Sequence, residues 1–307
     1  MSLTAFWIPA SLLAGIFQAL RSSIQVGLRQ SLTINGAGLI RYVYALPFAM
    51  AMATMWFLTT GTPLPRPDMA FWGYAALGGL AQIFGTQMLI AASHRRGFVF
   101  GTALSKLEAL IAAIASAILL HERLPALAWL GIVVGVTGIL MMALSLRDKA
   151  SGPLTLALLS EPAARLGVGA ATAFALTAVL VKAATVACGI ADPLGAALYT
   201  LTVVLALQAV MQGSWIARRE PATLIAVVGA WRKSSVVGFL SAVGSACWFT
   251  GFALAPVALV RLLGQIELVF TVVLSHLMLG ERPLRAEVIG LFLIAGGSLL
   301  ALLATTL

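Results

Sequence analysis

Residues 104–123, LSKLEALIAAIASAILLHER, and residues 263–282, LGQIELVFTVVLSHLMLGER, decide how this chain is read. A shift of 159 positions brings Leu104 onto Leu263, Glu108 onto Glu267, Ser116 onto Ser275 and Glu122-Arg123 onto Glu281-Arg282. Each stretch is largely apolar and long enough to cross a bilayer core of about 30 Å as a helix. Each also carries a glutamate in its interior, where a charge costs about 2.5 kcal/mol or more and needs a cavity or a partner. Two such segments at one offset make a repeat.

The correspondence extends outward. The same shift aligns Trp72 with Trp231, Gly79 with Gly238, Gly85 with Gly244, Gly131 with Gly290 and Gly138 with Gly297. Earlier in each half a shift of 157 places Asn35 on Asp192, Gly38 on Gly195 and Tyr42 on Tyr199, so one loop differs by two residues. Apolar periodicity and punctuation predict ten transmembrane helices at about 4–28, 36–60, 69–93, 97–119, 125–146, 164–187, 193–216, 233–254, 257–279 and 284–306. Pro63, Pro65 and Pro67 close the second span, and Pro256 separates the eighth from the ninth. Pro9 and Pro47 fall inside spans, which membrane helices tolerate when neighbours satisfy the freed carbonyls.

The expected organisation is therefore a first five-helix repeat over 1–150, a connecting loop at 151–162 and a second repeat over 163–307, in one transmembrane domain. Five is odd, so the second repeat enters the membrane from the opposite side. An all-α integral membrane protein built as two inverted five-helix repeats is an architecture of secondary transporters, with a central site and alternating access.

Composition agrees. Of 307 residues 61% are hydrophobic and only 9% charged, where soluble domains carry about 25% charged residues. The mean hydropathy is +1.03. Short connections leave no room for an attached soluble domain. The net charge of +9 comes from cations scattered singly and in pairs, so nucleic acid is not an expected partner. Cys188 and Cys247 form neither a disulfide framework nor a metal motif. Met1 to Trp7 lacks the charged region and cleavage site of a signal peptide. The sequence has no Walker segment, dinucleotide glycine fingerprint, metal-binding helix or nucleophile elbow. No cofactor and no enzyme activity are expected. An intramembrane enzyme using Glu108 or Glu267 and an uncoupled channel-like facilitator stand as alternatives to a carrier.

Two five-helix halves, each ending in His121-Glu122-Arg123 or Gly280-Glu281-Arg282 before a glycine-spaced last helix, resemble the drug/metabolite transporter superfamily. Within it the chain is similar to the EamA-type bacterial exporters, which include exporters of aromatic and other amino acids. His121 stands where the usual pattern has glycine. The resemblance implies a multi-pass protein of the bacterial inner membrane that exports small metabolites, hydrophobic or aromatic amino acids foremost.

Cations in short loops set orientation. Loops after odd-numbered helices hold twelve lysines and arginines, among them Arg29, Arg95-Arg96, Arg218-Arg219 and Arg232-Lys233; loops after even-numbered helices hold Arg66 and Arg123. The odd loops are expected in the cytoplasm, leaving both termini periplasmic. Trp7, Trp56, Trp72, Trp129, Trp215 and Trp231 fall near span ends, as interfacial tryptophans do.

Inside the spans lie the cations Arg21, Arg41, Lys106, Lys182 and Arg261 and the acids Glu108 and Glu267. Arg21, Arg41, Lys182 and Arg261 lie near enough to a face to snorkel; Lys106, Glu108, Gln265 and Glu267 do not. Positions two apart on a helix point in different directions, so Lys106 and Glu108 each need a partner on another helix. The carboxylates act either as structural counter-ions to Lys106 or Arg261 or as proton-coupling groups. The cation excess suits a substrate with a carboxylate. The expected substrate-binding set is Arg41, Tyr42, Gln82, Lys106, Tyr199, Trp248, Arg261 and Gln265, with Glu108 and Glu267 for coupling and Gln87 and His94 as further polar lining. His94, beside Arg95-Arg96 at a span end, reads better as a loop histidine than as cavity lining. Small residues at helical spacing, Gly131, Gly135 and Gly138 and then Gly290, Ala295, Gly296 and Gly297, allow close helix approach within the chain or across a homodimer. The expected partners are a small-molecule substrate and the lipid bilayer, with the protein a monomer or a homodimer.

Overall fold

The computed structural model describes residues 6–26, 32–93, 104–145, 162–270 and 284–304. Most of these residues are helical, with no strand among them. The helices are α1 (Trp7–Val26), α2 (Ile34–Val43), α3 (Leu46–Thr60), α4 (Met69–Ser93), α5 (Glu108–Leu119) and α6 (Ala126–Ser145). They continue as α7 (Pro162–Ala187), α8 (Pro193–Arg219), α9 (Pro221–Gly229), α10 (Trp231–Leu254), α11 (Val257–Leu263) and α12 (Arg285–Leu303). By length and composition, Ile34–Thr60, Met69–Ala92, Pro162–Ala187, Pro193–Arg219 and Trp231–Leu254 can each cross a membrane. Large apolar side chains cover the outside of several helices, with Leu58, Val186 and Phe292 all more than 70% exposed. In water that surface would drive aggregation; in lipid it is ordinary.

Helix ends follow local chemistry. The Thr33 hydroxyl accepts the Gly36 N–H at the start of α2, and the Asp192 carboxylate accepts the Gly195 N–H at the start of α8. Gly61, at φ 65°, closes α3 in a left-handed conformation that glycine adopts without a steric cost. Pro47 lacks an N–H and its ring crowds the carbonyl four residues earlier, at Val43, where α2 ends. The expected second span is thus two helices meeting at Tyr44–Ala45. A further departure is α9, a helix inside the connection expected between the seventh and eighth spans.

Chain contacts divide the protein into a unit of Met1–Ile83 with Thr177–Ala255 and a unit of Phe84–Leu176 with Pro256–Leu307. Each draws on both halves of the sequence. In the first unit α1 packs along α10, while α8 packs against α2, α3, α9 and α10. Gly195 admits the Trp56 ring and Gly238 admits the backbone of Tyr44, so neither has space for a Cβ. In the second unit α6 lies along α12 around Ile139, Met142 and Ile294. A Cβ at Gly131 would stand 2.5 Å from the Gly297 oxygen, and one at Gly138 2.6 Å from the Gly290 oxygen. These glycines meet within the chain, whereas Gly296 faces open space. Trp7, the first residue of α1, is buried, with its carbonyl accepting from Ser11. Trp72, Trp215 and Trp231 are exposed. Ser275, Gly280, Glu281 and Arg282 lie outside the described residues, as do Arg29, His94, Arg95 and Arg96.

Candidate functional site

In the second unit four buried charges stand where helices break. The backbone is helical at Leu104–Ser105, turns at Lys106–Leu107 and continues as α5 from Glu108. At the repeat-related place α11 ends at Leu263, the chain turns at Gly264–Gln265, and helix resumes at Ile266. Lys106 Nζ meets Glu267 Oε2 at 2.5 Å, and Arg261 Nη1 meets Glu108 Oε1 at 3.4 Å. Arg261 Nη2 also donates to the Phe174 carbonyl of α7 at 3.3 Å. All four side chains are buried. Glu108 occupies the first turn of α5 and Arg261 the last turn of α11, the ends at which the helix dipoles favour those signs.

The arrangement answers a demand made by the sequence. Lys106 and Glu108 cannot share one helix face, and each is paired on another helix. Every pair joins a residue of the first half to one of the second, 161 and 153 positions apart. Two cations meet two carboxylates, so this quartet is neutral and the surplus positive charge lies elsewhere. Gln265, the repeat mate of Lys106, is 2% exposed, and its side-chain oxygen has no hydrogen-bond partner among the described residues.

A second support comes from Glu122 of the His-Glu-Arg segment, whose carboxylate accepts the Val257 N–H at the start of α11 at 3.0 Å. His121 beside it has φ 54°, the left-handed conformation that the glycine of the usual pattern adopts freely.

The first unit holds the remaining expected residues. The Tyr42 hydroxyl donates to the Gln82 carbonyl at 3.4 Å, and Gln208 donates to Gln82 Oε1 at 2.7 Å and to the Gly79 carbonyl at 3.1 Å. Arg41, adjacent to Tyr42, is buried, which excludes a snorkelled side chain. Trp248 donates to Gln18 at 3.2 Å and stacks on Phe252. Tyr199 sits against Phe57 and Phe71, so the repeat mates Tyr42 and Tyr199 have unlike surroundings. Lys182 donates to the Ala255 carbonyl at 2.7 Å, neutralising the C-terminal end of α10. Gln208 and Gln18 were not among the residues expected from sequence. Gln208 and Gln212, four apart on one face of an apolar helix, carried a signal that could have found the first.

This unit also contains a cavity of about 510 Å³ between α1, α3, α8 and α10, lined by Leu13, Met52, Met55, Trp56, Leu198 and Thr250 among others. None of the expected substrate-binding residues lines it. Among the described residues no three His, Cys, Asp or Glu side chains gather to hold a metal ion.

Discontinuous helices of this kind recur around the binding sites of many secondary transporters. Residues 162–303 match the EamA-like transporter family. A match to the EamA-like family implies a membrane transporter of small solutes, and its members are transporters rather than enzymes. The EamA-like segment takes in Tyr199, Trp248, Arg261, Gln265 and Glu267, whereas Lys106 and Glu108 precede it. A solved crystal structure aligns with 99% of this chain and 99% of its own, with a TM-score of 0.72 and 18% identity; the likeness is one of fold. No curated protein matches the sequence.

Proposed function

We propose that the protein exports small metabolites, most of all amino acids with hydrophobic or aromatic side chains, across the bacterial inner membrane by alternating access between two inverted five-helix repeats. The observation that carries this reading is the pairing of Lys106 with Glu267 and Arg261 with Glu108 at helix breaks in both halves. Buried ion pairs hold one arrangement firmly and are costly to part singly. They therefore suit a contact that is exchanged as a set when the two halves rearrange. Arg41, outside the neutral quartet, is the cation best placed in sequence to meet a substrate carboxylate, with Tyr42, Gln82, Tyr199 and Trp248 supplying hydrogen bonds and aromatic surface. In this reading loops after odd-numbered helices face the cytoplasm.

Purified protein in liposomes, offered radiolabelled amino acids and small organic anions with and without a pH gradient, tests the proposal. Accumulation of aromatic amino acids driven by the gradient, and exchange without it, is the expected result. Movement of permanently cationic solutes alone would overturn the substrate class. For sidedness, single cysteines in the 61–68 loop should label only from the periplasm and cysteines at Arg218 or Arg219 only from the cytoplasm. The reverse pattern would invert the topology.

A further inference from the structure

Helix α9 is a nine-residue apolar segment, Pro221–Gly229, about 13 Å long and therefore far too short to span a bilayer. Thr223 and Val227 are buried, while Ile225 is 77% and Val228 67% exposed. Two basic pairs bracket it: Arg218-Arg219 ends α8, and Arg232-Lys233 opens α10. All four are exposed, and among the described residues none is ion-paired. The neighbouring acid forms no ion pair with them, so the segment keeps an excess of positive charge. Glu220 accepts from Asn35 Nδ2 at 2.6 Å with one oxygen and from the Thr33 and Thr223 hydroxyls with the other. Trp215 and Trp231 are exposed on the flanking helices, and the Arg232 guanidinium lies 5.5 Å from the Trp231 ring centre.

An apolar face, two tryptophans and an excess of positive charge at one place specify a surface that is greasy on one side and anionic on the other. We propose that α9 and its flanking cations form a docking surface for anionic phospholipid: Ile225 and Val228 enter the acyl boundary, and Arg218, Arg219, Arg232 and Lys233 engage the headgroup phosphates. Such a helix lies in the interface rather than across it. The hydrogen bonds of Glu220 to Thr33 and Asn35 tie the start of α9 to the first turn of α2, so the docked lipid steadies the entry to the helix that carries Arg41 and Tyr42.

The test uses the full chain in detergent micelles, offered phosphatidylglycerol and phosphatidylcholine in equal amounts, with retained lipid counted by native mass spectrometry. The wild type should retain phosphatidylglycerol preferentially and gain thermal stability from it. Each cation near a membrane surface contributes a factor of roughly five, so replacing all four with glutamine should reduce the preference more than tenfold. The paired variants Arg218→Gln/Arg219→Gln and Arg232→Gln/Lys233→Gln, less disruptive to folding, should each lose part of it. Ile225→Ser/Val228→Ser should weaken retention of both lipids. Arg66→Gln, at an exposed cation elsewhere, should change nothing. Equal retention of the two lipids by the wild type, an undiminished preference in the folded paired variants, or the same stabilisation by inorganic phosphate alone would each overturn the proposal. The readout does not depend on transport.

Discussion

His121 shows how a single residue can be read against its repeat. Its φ of 54° is a conformation that costs an L-residue with a side chain roughly 1–2 kcal/mol, and Gly280 holds the matching position in the second half. His121→Gly should be neutral to stabilising by up to about 1 kcal/mol, because glycine's greater unfolded freedom offsets part of the relief. His121→Val, branched at Cβ, should lower the melting temperature; an unchanged value for both variants would remove strain from the account. The charged quartet is the other matter for single residues. Glu267→Gln strands Lys106 in a buried site and should cost about 3–5 kcal/mol, whereas Lys106→Met/Glu267→Met should recover most of that loss. Thermal unfolding measures the recovery. Gradient-driven uptake and gradient-free exchange by the double variant then separate the roles: a structural pair leaves both intact, a titrating Glu267 takes away gradient-driven uptake alone, and a substrate-binding Lys106 takes away both.

Helices carry their own lessons. Close approach of α6 and α12 depends on Gly131, Gly138, Gly290 and Gly297, each with backbone or side chain where a Cβ would go. Gly138→Ala should destabilise by about 1–3 kcal/mol through overpacking, and Gly296→Ala, with open space around it in the interior of α12, should stabilise by up to about 1 kcal/mol because alanine is the better helix former. Equal effects from the two would mean that the helices part easily. This pairing was legible as a spacing of small residues, although not whether it closed within the chain or between copies. The α2–α3 break was half legible: Pro47 was visible, but tolerance of proline within spans hid its effect. In the second half Val204 stands at the position matching Pro47, and α8 runs through unbroken. Helix α9 escaped the sequence reading for a physical reason. Nine apolar residues between basic pairs are too few to register as a span, so they pass for loop. Gln208 shares a helix face with Gln212, but its partners, Gln82 Oε1 and the Gly79 carbonyl, lie 126 and 129 positions away, a pairing that spacing within α8 does not reveal.

At the scale of the molecule, both ion pairs of the quartet cross from one sequence half to the other, and both compact units combine stretches from each half. Pairing across helices followed from Lys106 and Glu108 standing two apart; that each compact unit would combine stretches from both halves, and which cation would take which carboxylate, did not follow. Residues 151–307 expressed alone should be degraded and should accumulate when residues 1–150 are made in the same cell, as pulse-chase labelling can follow. Stable accumulation of either half alone would mean that the cross-half charges contribute little to folding. The separations of 161 and 153 residues also set a clock. A ribosome adds about 5–20 residues per second, so Lys106 and Glu108 are made roughly 8–30 s before their partners. Helices form within about a microsecond, so the fourth segment spends that interval folded and in search of an environment. Only when Glu267 has been added does the chain hold both partners that its first-half charges have in the finished protein. A ribosome that stalls before Arg261 leaves a membrane segment neither of whose charges has the partner it holds in the finished protein.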